Sequence, residues 1–419
     1  MLLFLMGCTT LNKKAETAAF TNSFQNKDGI STLTIIPNIV KTEKATDVSG
    51  SSSLVTKIPI VPPTPLPKLD QDCWEQVSEN LFHLGRPLAL TESQDGVIWV
   101  AFDFGLMKLF GNEQKEFSFK TIEGCEKCYA GDRLVVTENG EVWVGVSGGL
   151  IHVKNEKPEL IPYSDIFPEN SNNKLGLRIL LATKSGTLWV SDIQTGNVCA
   201  YKTNWNCFNP FSANENDQIV SAVALEENDI WFGSEFGKIF EYKDWKLLSY
   251  DVNSLFPGYA GWKKIGSLAF DKKNGTLWAV ETNPPNCAET FSSPGIGVIK
   301  RTKDGHWSML EKGFFDRYKD NKCYGNLSSI TVDSNNQVWL GMNGRYGVVI
   351  YDGVEWKTLS GKMLPARQLL DRKQDQLNHI DVKCQIDDDQ YITNNIFAPE
   401  HGGLLVLNGY SILRYKNEP

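Results

Sequence analysis

The sequence predicts an all-β ring of seven four-stranded antiparallel blades, a β-propeller. Three observations predict it. Tryptophan recurs at positions 99, 143, 189, 231, 278 and 339, with successive spacings of 44, 46, 42, 47 and 61 residues. Each indole occupies the same place in a short β-like run: Val97-Ile-Trp-Val, Glu141-Val-Trp-Val-Gly, Thr187-Leu-Trp-Val, Asp229-Ile-Trp-Phe-Gly, Thr276-Leu-Trp-Ala and Gln337-Val-Trp-Leu-Gly. Each run belongs to a unit of four such segments, rich in β-branched and aromatic residues and bounded by Gly, Asn or Asp. A four-stranded sheet cannot bury both its faces alone. An open row would leave two apolar faces in water, so stacked units of this period close into a ring.

The elements follow in chain order. Residues 1–8 run from an apolar start to Gly7-Cys8. Six apolar residues are too few to span a bilayer. Leu5, Gly7 and Cys8 resemble the lipobox of a bacterial lipoprotein, which would make 1–8 a signal-peptide remnant with Cys8 as its lipidated end. The alternative is an incidental apolar start with an unmodified thiol. Residues 9–70 are polar, carry no Trp and end in Pro59, Pro62, Pro63, Pro65 and Pro67. That composition predicts a disordered linker with a semi-rigid polyproline II end. Residues 71–419 are the predicted propeller.

The clearest unit is Leu327-Ser-Ser-Ile-Thr-Val-Asp333, then Gln337-Val-Trp-Leu-Gly341, Gly347-Val-Val-Ile-Tyr351 and Glu355-Trp-Lys-Thr-Leu359. We call the four segments a, b, c and d. Units a-b-c begin near Pro87, Arg133, Arg178, Ile219, Ile265, Leu327 and Leu377, and the last places Tyr391 in the Trp slot. Segment d has eight candidates, one too many, with Trp74-Glu-Gln-Val77 and Ser411-Ile-Leu-Arg-Tyr415 competing to complete the last blade. Closure by residues 74–77 is the expectation. Six or eight blades are the alternatives.

The turn followed by Leu/Val-Trp-Val/Leu-Gly and then Gly-Val/Leu-x-x-Tyr-x-x-Gly-x-x-Trp resembles the two-component regulator propeller repeat. The resemblance covers residues 74–419. It implies an extracytoplasmic propeller of the kind found in the sensor part of bacterial hybrid histidine kinases and in separate envelope proteins.

Removing Cys8 leaves eight of the nine Cys, an even number suited to an oxidising compartment. Cys199 and Cys207 face each other across a c–d hairpin, since Tyr201 and Trp205 pair in the same register. Cys125 and Cys128 share one d–a loop, Cys287 and Cys323 fall on that same face, and Cys73 and Cys384 on the opposite one. Four disulfides are expected. The rival for Cys125-Glu-Lys-Cys128 is a redox or metal site. A redox pair wants a helix N-terminus to lower the thiol pKa, and zinc wants two further ligands.

Hydrophobic residues at 41% and charged residues at 22% exclude wholesale disorder. Fifty acidic against 42 basic residues, a net −8, argue against a nucleic-acid surface or a polybasic route to lipid. No P-loop, HExxH or GxGxxG occurs. Glu400-His401, read as lying in the last b–c loop, and His379, read as near the start of an innermost strand, are the weak catalytic candidates; a polar loop is the alternative. Asp387-Asp-Asp389 and Asp333-Ser-Asn-Asn lack the Gly and distal Glu of a calcium loop and read as Asx turns. No cofactor is expected, a structural Ca2+ or Mg2+ being the alternative.

The d–a and b–c loops share one face, the expected binding surface. Arg86, Arg133, Arg178 and Lys264 stand at or just before segment a in four units, which places four cations around one channel mouth. Asp103, Glu235 and Glu281 follow the b-strand Trp and could be their ion-pair partners. Trp262 and Arg345, with Phe104, Phe236, Tyr259, Tyr346 and Phe397, add to the same loops, either binding or plugging them. The leading expectation is a monomeric, lipid-anchored, non-catalytic, sensor-like module at a bacterial envelope, binding an anionic glycan, peptide or envelope protein. The membrane would be met through the lipid only. The alternative is a propeller lyase or hydrolase, in the manner of metal-dependent propeller lyases.

Overall fold

The computed structural model describes residues 74–78, 84–167, 176–212, 215–257, 264–282, 297–309, 326–344, 348–351, 356–359, 391–399, 403–408 and 411–415. They form seven four-stranded antiparallel blades arranged as a ring. Blade 1 is β2 (Pro87–Glu92), β3 (Ile98–Phe102), β4 (Gly105–Phe110) and β5 (Glu113–Ser118). Blade 2 is β6 (Ala130–Val136), β7 (Val142–Val146), β8 (Gly149–Lys154) and β9 (Lys157–Pro162). Blade 3 is β10 (Leu177–Ala182), β11 (Leu188–Asp192), β12 (Val198–Tyr201) and β13 (Trp205–Phe208). Blade 4 is β14 (Ile219–Glu226), β15 (Asp229–Ser234), β16 (Lys238–Lys243) and β17 (Lys246–Asp251). Blade 5 is β18 (Ile265–Asp271), β19 (Thr276–Glu281), β20 (Val298–Arg301) and β21 (Trp307–Met309). Blade 6 is β22 (Asn326–Val332), β23 (Val338–Gly344), β24 (Val348–Tyr351) and β25 (Trp356–Leu359).

Blade 7 corrects the sequence reading. Its innermost strand is β26 (Tyr391–Phe397), followed by β27 (Leu404–Asn408) and β28 (Ser411–Tyr415). Tyr391 therefore begins strand a and does not fill the Trp slot. Phe397 pairs with Leu405 where Thr331 pairs with Trp339 in blade 6, so a leucine stands where the other blades carry an indole. Ser411–Tyr415 becomes strand c, which removes the surplus fourth strand. The outermost strand is β1 (Trp74–Ser78), antiparallel to β28 with Trp74 opposite Tyr415. The N-terminal strand thus closes the ring, as expected.

The indoles explain the stacking. The buried apolar residues fall into seven clusters, one at each blade interface. Trp99 packs toward blade 2, Trp143 toward blade 3, Trp189 toward blade 4, Trp231 toward blade 5, Trp278 toward blade 6 and Trp339 toward blade 7. Where blade 7 meets blade 1, Leu405, Leu407 and Ile412 meet Leu90, Val100 and Met107. Each buried large side chain is worth roughly 1.5–3 kcal/mol of transfer free energy, realised only when the neighbouring blade is present. Asp333 anchors one indole directly: its carboxylate accepts from Trp339 Nε1 at 2.8 Å and from the backbone N–H groups of Asn335 and Gln337. This segment is the Asx turn the sequence suggested.

Two of the four expected disulfides join described residues, Cys125–Cys128 and Cys199–Cys207, the second across directly opposed positions of β12 and β13. Cys8, Cys73, Cys287, Cys323 and Cys384 lie outside the described residues.

Candidate functional site

The inner strands carry a repeated irregularity. In six of the seven blades strand a bulges by single extra residues relative to strand b: Leu88, Leu180, Val220, Gly266, Ser328 and Asn394, with a second in blade 4 at Leu225. Blade 2 differs. Ala130 pairs with Val146 and Leu134 with Val144, so Gly131, Asp132 and Arg133 together oppose Gly145 alone. That bulge is one residue wider than the rest. A wider bulge turns the strand and re-aims its side chains, and here it puts Asp132 and Arg133 into the wall of the central channel. Gly145 is required behind it, because a Cβ there would fall 2.0 Å from the Leu177 carbonyl oxygen of blade 3.

The channel has a volume of about 550 Å³ and is walled by the inner strands of the ring. At its d–a end stand Asp132, Arg133 and Lys264, with Gly266, Thr282, Ser328 and Asn395 adding neutral polar groups. Arg133 reaches across from blade 2 to blade 5, where its Nη2 donates to the Gly266 carbonyl at 2.5 Å. Its Nε is buried with no hydrogen-bond partner. Arg178 stands behind Asp132, 3.5 Å from its Oδ1, and its Nη1 leans on the Ile219 carbonyl. Asp132 is 55% exposed, but the water it meets lies inside the channel. Burial there pushes its carboxyl up, and the combined pull of Arg178, Arg133 and Lys264 overrides this to hold it below the ordinary value. Burial lowers the Arg133 guanidinium, with Asp132 opposing that shift. Three cations thus act on one carboxylate, which is paired with Arg178 alone among the described residues.

The fourth expected cation stands apart. Arg86 is engaged by Asp103, which accepts from its backbone N, Nε and Nη2 at 2.8, 3.1 and 3.1 Å. Asp103 is thus an ion-pair partner as anticipated. Glu235 makes no ion pair among the described residues, and Glu281 is buried. On the same face Phe104 and Tyr129 form an exposed ring pair, centroids 5.2 Å apart, and Phe236 is exposed in blade 4. Phe397 lines the channel.

Trp262, Tyr259, Arg345, Tyr346, His379, Glu400 and His401 lie outside the described residues. The strand assignment nevertheless relocates two expectations. Glu400 and His401 fall between β26 and β27, an a–b connection, not the b–c loop inferred from sequence. His379 precedes β26 by more than a turn's length, so it does not begin the innermost strand. Among the described residues no group of three or more His, Cys, Asp or Glu could hold a metal ion.

Sequence reasoning missed Asp132 and Asp217. Two adjacent charges inside an otherwise apolar inner strand were the signal for Asp132. Asp217 precedes β14 on the mouth face; burial raises its carboxyl, and its Oδ1 accepts from the Gln218 and Phe236 N–H groups.

No protein-family model matches this chain, and no curated protein resembles it in sequence. Its fold is shared with solved propellers. Virginiamycin B lyase from Staphylococcus aureus superimposes with a TM-score of 0.56 at 11% identity, over 81% of this chain and 98% of that one. The extracellular domain of the hybrid two-component system protein BT4673 from B. thetaiotaomicron gives 0.55 at 14% identity, over 83% of this chain and 40% of that one. YCF48 bound to D1 peptide gives 0.54 at 14% identity, over 84% and 98%.

Proposed function

We propose that this chain is an extracytoplasmic, lipid-anchored, non-catalytic binding module whose cationic channel mouth receives an anionic ligand on a glycan, peptide or envelope protein. One observation carries the reading: the widened blade 2 bulge, which places Asp132 and Arg133 in the channel wall with Lys264, Arg178 standing behind Asp132. A mouth lined by clustered cations in low-dielectric walls concentrates anions even on a chain of net charge −8. Trp74, opposite Tyr415, lies at the a–b and c–d end of blade 7. Trp74 thus lies on the face opposite the mouth. The likeness to a two-component extracellular domain and to a propeller bound to a peptide agrees with such a role at the level of fold.

The test is array binding of the full chain to acidic glycans and peptides, followed by Arg178→Ala. The reading expects at least a tenfold loss of affinity for the best ligand, and unchanged affinity overturns it. Cys8→Ser should move the protein from the membrane fraction to the soluble one. A metal-dependent lyase is the second reading, favoured by the fold shared with virginiamycin B lyase. Turnover abolished by a chelator and by His401→Ala would establish it.

A further inference from the structure

The Arg133 side chain is held in an unfinished arrangement. It crosses the channel from blade 2 to a backbone carbonyl of blade 5, while its Nε is buried and donates to nothing. A buried donor without a partner is destabilising. The one carbonyl it reaches belongs to Gly266. That glycine is the extra residue of the blade 5 bulge, and its carbonyl could turn to water in the channel instead. The guanidinium is a planar fork with parallel Nε–H and Nη–H bonds, a geometry that matches the two oxygens of a carboxylate. Lys264 stands in the same stretch of wall and has no ion-pair partner among the described residues. Asp132 is already shared with Arg178, which leaves positive charge in excess.

We propose that Arg133 is a movable bar and that its partner in the occupied state is the carboxylate of a small acid entering from the mouth. The acid replaces the Gly266 carbonyl, takes the Nε–H and Nη–H pair, and lies beside the Lys264 ammonium. Asp132 keeps Arg178 in place and limits how tightly the anion is held. The cavity of about 550 Å³ is the size of small-molecule sites and too small for a folded partner. Thr282, Ser328 and Asn395 also line the channel and would meet a polar, uncharged body. This rests on the mouth being the binding surface, and it narrows the ligand to a small carboxylic acid or the acidic end of a chain.

The experiment uses the full chain with arginine side chains labelled with 15N, titrated with acetate, glucuronate and inorganic phosphate. Saturable binding of acetate and glucuronate is expected, with one Nε–H resonance shifting and that resonance absent in Arg133→Met. Glucuronate should bind the tighter of the two through its hydroxyls. Arg133→Met should weaken glucuronate at least tenfold. Asp132→Asn should tighten it by roughly fivefold, the effect of removing one nearby like charge; a merely structural Asp132 would not do this. Lys264→Met keeps the test open should Arg133→Met fail to fold, and should weaken glucuronate roughly fivefold. No saturable carboxylate binding, phosphate preferred over both acids, or binding that leaves the Arg133 resonance unmoved would each overturn the proposal. If a glycan or peptide still binds and loses affinity in Arg178→Ala, the binding-module reading survives while the small-acid assignment falls.

Discussion

Blades 4–7 and blades 1–3 solve the same packing problem differently. From blade 4 onward, serines stitch each inner strand to the next. Ser221 Oγ donates to the Ile265 carbonyl at 2.5 Å, Ser267 Oγ accepts from the Ile330 N–H at 3.1 Å, and Ser329 Oγ accepts from the Ile396 N–H at 3.2 Å. The first residue after the bulge in blades 1, 2 and 3 is Ala89, Leu134 or Leu181, which can make no such bond. That half instead carries the widened bulge, Asp132, Arg133 and Arg178, and both disulfides formed by described residues. One half is tied down by backbone-directed hydroxyls. The other makes one such tie, from Ser191 Oγ to the Ile219 carbonyl at 2.8 Å, keeps charged side chains in the channel and is held by covalent links further out.

The contrast can be broken by experiment. The largest expected effect is in the stitched half. Trp339→Ala removes a wholly buried indole between blades 6 and 7 and leaves Asp333 without its ring donor, at a cost of about 3–5 kcal/mol measured by denaturant melts. Trp339→Phe should recover more than half of that loss. Next comes the disulfide-held half. Cys199→Ser with Cys207→Ser should cost about 2 kcal/mol, and a reducing agent should lower the stability of the parent by more than that of the double variant, which keeps Cys125–Cys128. Ser267→Ala should cost about 1–2 kcal/mol, since it strands the Ile330 N–H inside the ring. An Ala at Ser267 that leaves the melt unchanged would remove the distinction between the two halves.

The smallest effect is electrostatic. Glu156 sits between Lys108 and Lys115, both at 2.6 Å, and their hydrogen bonds and charge hold its carboxyl down to about 2. A depressed carboxylate contributes stability above its unfolded value, and that contribution is lost as pH falls through the folded one. Between about pH 4.5 and about pH 2 the parent should therefore lose slightly more stability than Glu156→Gln, and salt should erase the difference. Equal acid slopes would show that these blade 1 to blade 2 contacts add nothing.

The sequence made the ring legible because an indole at each interface is a positional marker that survives drift elsewhere. The same device explains the failure at blade 7. With Leu405 in the indole's slot, the period offers no marker, and Tyr391 was taken for one. The Cys199–Cys207 pairing was readable because a hairpin register needs only two positions of known face. The arginines are legible as a group because the sequence puts each at or just before a segment a, although Arg133 and Arg178 lie inside β6 and β10. Their division of labour is not. A bulge one residue wider is a difference in pairing, invisible to composition; Arg133 lies inside it and crosses the channel, while Arg86 lies before β2 and sits on Asp103.

Deleting Asp132 tests the central claim most directly, because it gives blade 2 the single-residue bulge of its neighbours. The account predicts a melting temperature equal to or above the parent's, with binding at the mouth lost. Deleting Ser328 from the stitched half should instead lower the melt and leave the mouth's cations in place. If removing Asp132 destabilised the ring as much as removing Ser328, or left binding intact, the wider bulge would be an ordinary part of the scaffold and not the device that builds the site.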